Sequence, residues 1–419
     1  MKRTISAILF AALSGALAGP PAFSQSLSEN SDTGLDEGPV QLRLDIASVL
    51  LAGAAGEAGD GLLFDLDAEL AFESFTSSGR RWGFVAGGRA ERDGSRTAWG
   101  GLAGDCPAAF GDCASIMVGG QLHPVRAPVS GFQSVATERD DALRLALTSA
   151  YAFVDLGWGE VRLGYGPGAA DLDPEQGPTA FRLSRADGGR VDLTGLSGAR
   201  TRNLSSGRSP KLVFRSITLG QTSTIGAFRV SSSFTPAVRD CGVDHCARDN
   251  GPAGLLVPEF DNVWEIAGRY EIRRGDHEYA FSLGASQGDA ASNIAGFAGI
   301  STRDAGFSWT HGALSAGARW LRSNNGVDGD GSYEAWSASI GLESGPWLTT
   351  LEAARFSDDL AHVDGQTWQL STSRLVGDHW IVGGGVQHAD RHDPFATSTG
   401  RRQIRLDGSA VFLELGWQF

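Results

Sequence analysis

Past its first two dozen residues the sequence has no long apolar run. Nowhere does it approach the roughly 18–20 consecutive apolar residues that a membrane-crossing helix requires, which excludes helical spans. Lysine is almost missing. Lys2 and Lys211 are the only two, and the remaining fixed positive charge is arginine, whose planar, weakly hydrated fork suits packed arrays. Lys and Arg total 35 against 49 Asp and Glu, a formal net charge of −14, which argues against nucleic acid as a partner. Cysteine is limited to two close pairs, Cys106 with Cys113 and Cys241 with Cys246. Neither pair has CxxC spacing, and His245 stands without a second histidine, so disulfides within loops of an exported chain are the expectation and zinc the rival. No Pro/Ser-rich linker or shift in composition marks a domain boundary. No Ser/His/acid arrangement lies within a nucleophile motif, which argues against lipase or protease chemistry. Gly164-Tyr165-Gly166-Pro167-Gly168 lacks the Lys-Ser/Thr of a phosphate loop and loses a backbone donor at Pro167, so it reads as a strand-to-loop turn.

What is present begins with an export signal. Lys2 and Arg3, the apolar Ile5–Ala18 and the small-x-small Ala22-Phe23-Ser24 form a secretory signal peptide over residues 1–24, with no cysteine at the cleavage site. Residues 25–419 then read as one β-barrel unit. The final stretch, SAVFLELGWQF, sets the pattern: Val411, Leu413, Leu415, Trp417 and Phe419 share one face, and Ala410, Phe412, Glu414, Gly416 and Gln418 the other.

The same alternation recurs in sixteen segments. They are Gln41–Ala52, Leu62–Ser74, Arg81–Arg92, Ala142–Asp155, Gly159–Gly166, Lys211–Leu219, Thr224–Thr235, Asn262–Arg274, Asp276–Gln287, Ser301–His311, Gly312–Arg322, Tyr333–Glu343, Pro346–Ser357, Gly365–Val376, Asp378–Ala389 and Leu406–Phe419. Tight turns alternate with longer polar loops, notably Asp93–Asp141, Pro167–Pro210, Pro236–Asp261 and Asp390–Arg405. An even strand count with short turns at one end and long loops at the other is the plan of an outer-membrane barrel. Tryptophan tests that plan independently. Trp82, Trp158, Trp309, Trp347, Trp380 and Trp417 lie near short-turn ends, and Trp264, Trp320, Trp336 and Trp368 near long-loop ends, as two interfacial girdles require. In Leu62–Ser74 the alternation sends Leu62, Phe64, Leu66, Leu70 and Phe72 outward and Asp65, Asp67, Glu69 and Glu73 inward. The predicted fold class is therefore all-β, a sixteen-stranded antiparallel transmembrane barrel.

From about Phe153 onward the chain resembles the trimeric general-diffusion porins of Gram-negative outer membranes, especially their alphaproteobacterial branch. Ser209–Pro236, SPKLVFRSITLGQTSTIGAFRVSSSFTP, is similar to that family's strand-turn-strand ending in aromatic-Thr-Pro, and Asp155–Gly166 to its hairpin before the pore loop. The closing Phe is similar to the family's terminal signature, whereas Asp93–Asp141 has no counterpart. The resemblance implies a homotrimer in outer-membrane lipid that passes small hydrophilic solutes and ions by passive diffusion, without catalysis or cofactor. It also implies a third long loop, Pro167–Pro210, folded inward to constrict the pore. The loop supplies Asp171, Asp173, Glu175 and Asp187 together with Arg182, Arg185 and Arg190. The facing wall supplies Arg43, Arg81, Arg89, Arg144, Arg162, Lys211, Arg215 and Arg229. Opposed charges across a narrow aperture would order water and polar solutes. Excess acid favours cations and the arginines oppose it, leaving the sign of ion preference open. A substrate-selective sugar or phosphate channel is the other reading, and would call for a ladder of lumen aromatics. Asp328, Asp330 and Glu334 lack the full EF-hand register and read as a polar loop, with structural Ca2+ as the rival reading, and His388, Asp390, His392 and Asp393 read as surface loop in preference to a metal site.

Overall fold

Alternating apolar and polar side chains keep a chain extended only if both faces find an environment, and here sixteen staves pair edge to edge to supply it. In the computed structural model, residues 40–51, 62–92, 114–132, 143–187, 191–221, 225–238, 256–329, 331–397 and 400–418 are described. The signal segment, Arg190, Asp330 and Phe419 lie outside them, and of Arg144 only the backbone is described. All four cysteines, Cys106, Cys113, Cys241 and Cys246, also lie outside the described residues, so the two expected disulfides have no counterpart among the contacts below. The strands are β1 (Val40–Leu51), β2 (Leu62–Phe75), β3 (Arg81–Arg92), β4 (Ser115–Val118), β5 (Gln121–Pro124), β6 (Arg144–Asp155), β7 (Gly159–Gly166), β8 (Ser209–Ser216), β9 (Leu219–Gln221) and β10 (Gly226–Val238). They continue with β11 (Phe260–Arg274), β12 (His277–Ala290), β13 (Ser301–His311), β14 (Leu314–Ser323), β15 (Tyr333–Ser344), β16 (Trp347–Asp358), β17 (Val363–Val376), β18 (Trp380–Thr397) and β19 (Gly400–Gln418).

All barrel pairings are antiparallel between sequence neighbours, and β1 pairs with β19 to close the cylinder. Strands β8 and β9 both pair with β10 and form one interrupted stave, which gives sixteen in all. The β4–β5 hairpin stands apart from the wall. Short turns tighten through glycine where the backbone must turn left-handed, as at Gly275 (φ 58°) and Gly345 (φ 58°), a conformation that a Cβ would strain.

The last joint departs from expectation. The fading alternation predicts a loop over Asp390–Arg405, but β18 runs to Thr397 and β19 starts at Gly400, with Asp390 opposite Asp407 and Thr397 opposite Gly400. Beyond the apolar band both faces of a strand are polar, so the hydrophobic alternation is lost while the hydrogen-bond ladder continues. His388, Asp390, His392 and Asp393 therefore sit in a strand. His388 Nδ1 contacts Ser409 Oγ (2.9 Å), His392 pairs with Asp364 (3.1 Å) and Asp393 is buried against Arg391 (2.6 Å).

The apolar face lies outside. Val411, Leu413 and Leu415 are exposed on the outer wall, whereas Ala410, Phe412 and Glu414 are buried within. Leu42, Leu70, Phe84, Ile266, Leu283 and Leu351 are likewise exposed, while Asp65, Arg89, Glu265, Asp304, Arg319 and Glu352 are buried. Trp320 stacks on Trp336 across β14–β15 (5.8 Å), and both indoles donate to Glu334 (2.8 and 3.0 Å). At the other end Trp380 lies opposite Trp417 (6.4 Å). Buried apolar clusters form where loops enter the cylinder. Phe181, Leu183, Val191 and Leu193 pack on Val49, Leu63 and Phe412, while Phe132 packs with Phe356, Phe260 and Val263.

Candidate pore constriction

Between β7 and β8 the described residues 167–187 and 191–208 lie inside the barrel, in contact with inward-facing side chains of the wall. Pro167, Pro174 and Pro178 disfavour a helix over this stretch. After a single 3-10 turn at Ala169–Asp171 the chain runs extended. Asp171, Asp173, Glu175 and Thr179 are buried, and Leu172, Pro174 and Gln176 are half-buried. Two-residue spacing puts Asp173 and Glu175 on one side facing the wall, while Asp171 closes the 3-10 turn.

Their partners are explicit. Asp173 accepts from Arg215 Nε (3.0 Å) and pairs with Arg229 (3.3 Å). Glu175 pairs with Arg269 (2.7 Å) and accepts from Ser308 Oγ (2.7 Å), while its own N–H donates to Ser282 Oγ (2.8 Å). Asp171 pairs with Arg202 (2.7 Å) on the returning limb of the same loop. Asp187 pairs with Arg185 (2.9 Å) and accepts from Thr201 Oγ1 (2.9 Å). The loop's own electrostatics follow. Burial pushes the Asp187 carboxyl up, but Arg185 and the Arg185 and Thr201 hydrogen bonds outweigh it and hold the group below its ordinary value. For Glu175 burial prevails over Arg269 and Ser308, and the group lies above its ordinary value.

Farther along, backbone donors meet wall carboxylates. Leu183 and Ser184 N–H donate to Glu414 (3.2 and 3.0 Å), and Ala186 N–H and Thr179 Oγ1 to Glu352 (3.3 and 3.0 Å). Arg182 reaches Asp65 (2.6 Å) and Asp67 (3.2 Å), and Gln369 donates to Ser184 O (2.9 Å). Phe181 meets Phe412 edge-on, with ring centroids 5.6 Å apart. The wall makes room through glycine: a Cβ on Gly317 would lie 2.6 Å from the Cα of Gly177. A cavity of about 240 Å³ lies beside this segment, lined among others by Gln176, Arg269, Tyr279 and Ser308.

Of the wall cations expected opposite the loop acids, the structure brings Arg215 and Arg229 to them. Arg43 pairs instead with Asp45 (2.9 Å), Arg89 with Asp65, and Arg81 with Glu73 (3.1 Å) and Glu160 (2.8 Å). Arg162 pairs with Glu160 (2.6 Å) and lies over the Tyr151 ring (5.1 Å). Lys211 Nζ donates to Ser206 Oγ (2.8 Å) and Gly207 O (2.7 Å), tying down the loop's end. Arg81, Tyr151 and Arg162, on β3, β6 and β7, form one arc of the wall, with Arg81 and Arg162 both paired to Glu160. Sequence reasoning did not set Arg269 against the loop, and it missed the anchoring roles of Glu352, Glu414 and Arg202. It gave no structure to Asp93–Asp141, within which residues 114–132 form a second layer. There Ile116 and Val125 pack with Phe297, Val327 and Leu360, Phe132 stacks on Phe356 (5.6 Å), and Arg200 Nε donates to Ser130 O (3.0 Å). Among the described residues no group of three or more His, Cys, Asp or Glu is placed to hold a metal.

With this geometry in hand, the chain can be set beside known proteins. No known family's sequence model matches it, and no curated protein matches it in sequence. Solved structures do match in fold. The anion-selective porin from Comamonas acidovorans is similar at 14% identity, covering 91% of this chain and 100% of that one, with a TM-score of 0.51. The high-pH structure of Pseudomonas putida OprB is similar at 10% identity, covering 91% and 94%, with a TM-score of 0.56. The trimer form of OmpT, an outer-membrane protein of Vibrio cholerae, is similar at 9% identity, covering 92% and 100%, with a TM-score of 0.50. The fold is that of the porins, a closed sixteen-stave antiparallel barrel.

Proposed function

We propose that this chain is an outer-membrane porin, a water-filled channel for passive diffusion of small hydrophilic solutes and ions, with no chemical step. One observation carries the reading: the wall is apolar outside and charged inside. A face bearing Leu42, Leu70, Leu283, Leu351 and Leu413 matches hydrocarbon, and an inner face of paired Arg, Asp and Glu matches water. The two tryptophan bands then stand at the two headgroup levels, with the long loops facing the cell exterior. Loop 167–208 narrows the lumen, and Asp171, Asp173, Glu175 and Asp187 fix it in place. Arg81 and Arg162 line the arc across from it.

The finer parts of the proposal are assembly as a trimer and kinship with the alphaproteobacterial branch, the latter supported by Asp155–Gly166 and Ser209–Pro236. Cleavage after residue 24 and two loop disulfides, one joining Cys106 to Cys113 and one joining Cys241 to Cys246, complete it. Reconstitution of the full mature chain into planar lipid bilayers tests the function. Stepwise, ohmic conductance increments are expected, in groups of three equal levels for a trimer. Membranes that stay silent while the protein is inserted would contradict the channel reading.

A further inference from the structure

We infer that the narrow level of this channel passes small anions in preference to cations, against the sign of the chain's net charge of −14. The inference rests on the channel reading above and concerns the same site. Its basis is which end of each ion pair faces the water. On the loop side the carboxylates of Asp173 and Glu175 are buried against wall arginines, and that of Asp171 is buried against Arg202 of the loop itself. Arg202 is 34% exposed and its partner Asp171 5%; Arg215 and Arg229 are 20% and 21% exposed and Asp173 5%. On the wall strands beside the loop and across from it the order is the same. Arg43 is 43% exposed against 8% for Asp45, and Arg81 is 38% exposed against 24% for Glu73 and 14% for Glu160.

A permeating ion therefore meets guanidinium before carboxylate on both sides. Each pair is neutral in sum, but its cationic end lies nearer the ion. Coulomb energy falls with distance and is screened over about 8 Å at physiological salt, so the nearer charge dominates in a narrow passage. Low-dielectric walls focus that field onto the water column. The exposed acids near this level are Glu69, the cross-strand neighbour of Arg43, Asp67, 22% exposed beside Arg182, and Glu271, 40% exposed beside Arg269. Glu278, 44% exposed, pairs with Arg273 at 59% next to the short turn.

The test is the zero-current potential of the reconstituted full-length mature channel in a tenfold KCl gradient. A chloride-over-potassium permeability ratio above one is expected, since rings of fixed charge set ion preference. Arg81→Gln and Arg202→Gln are each expected to lower the ratio, and Glu69→Gln to raise it. Arg202→Gln also unpairs Asp171 and loosens the loop; such loosening shows as a rise in conductance. Arg81→Gln, on β3 and paired with the wall carboxylates of Glu73 and Glu160, keeps the test decisive. A parent ratio at or below one, or a ratio that neither arginine substitution moves, overturns the inference while leaving the channel standing. Absence of any conductance overturns the channel reading and this inference with it.

Discussion

Asp173 concentrates the anchoring of the third loop on one carboxylate, held by Arg215 and Arg229 from two adjacent staves. Asp173→Asn removes that charge while both guanidiniums stay in place. A loss of about 1–3 kcal/mol is expected from unpairing buried charge, read as earlier thermal unfolding of the barrel, together with a larger and noisier single-channel conductance. Acidification separates the loop's carboxylates. Glu175, raised by burial, takes up its proton first as pH falls, and its ion pair with Arg269 then becomes a hydrogen bond from the charged guanidinium to a neutral acid. Asp187, lowered by Arg185, contributes stability that is present above its ordinary value and is lost only as pH falls through its depressed value. Carboxyl NMR of the folded channel is expected to show the Glu175 resonance moving at higher pH than that of Asp187. The spacing of Asp173 and Glu175 is legible in the sequence as two acids on one side. Which side is not legible, because it depends on the angle at which the chain leaves the turn at Gly168–Asp171.

Elements here are specified with unequal clarity. The wall staves are legible because each must satisfy lipid on one face and water on the other, a constraint written into every second residue from Leu62 to Phe75 and again from Ser409 onward. The rim is not, since β18 and β19 extend past the apolar band where both faces are polar. Residues 114–132 are hidden for another reason: Phe132 and Val125 find partners on strands and loops more than a hundred residues away, and no local period announces them. Loop and wall are fitted as surfaces. Gly317→Leu places a side chain where Gly177 lies, and is expected to push the loop off the wall, with altered conductance in bilayers and unchanged strand content by circular dichroism. Phe181→Ala empties the buried contact with Phe412, with an expected cost of about 3–4 kcal/mol and a loosened loop, seen as faster proteolysis near residue 181.

For the molecule as a whole, the apolar clusters lie where loops fill part of the lumen, and the wall itself is inverted relative to a water-soluble barrel. Barrel closure through β1 and β19 leaves no free edge, so every backbone polar group of a stave can be satisfied within the hydrocarbon layer. Neighbouring residues on one stave should therefore meet opposite solvents. Leu42 is exposed on the outer face and Arg43 on the inner. The most direct test is single cysteines at Leu42→Cys and Arg43→Cys in the channel reconstituted in lipid, treated with a membrane-impermeant, charged thiol reagent and compared with the parent chain. Modification and a drop in conductance at position 43, with none at position 42, is the predicted result. Rapid modification at 42 with protection at 43 would place water outside the cylinder and contradict the account.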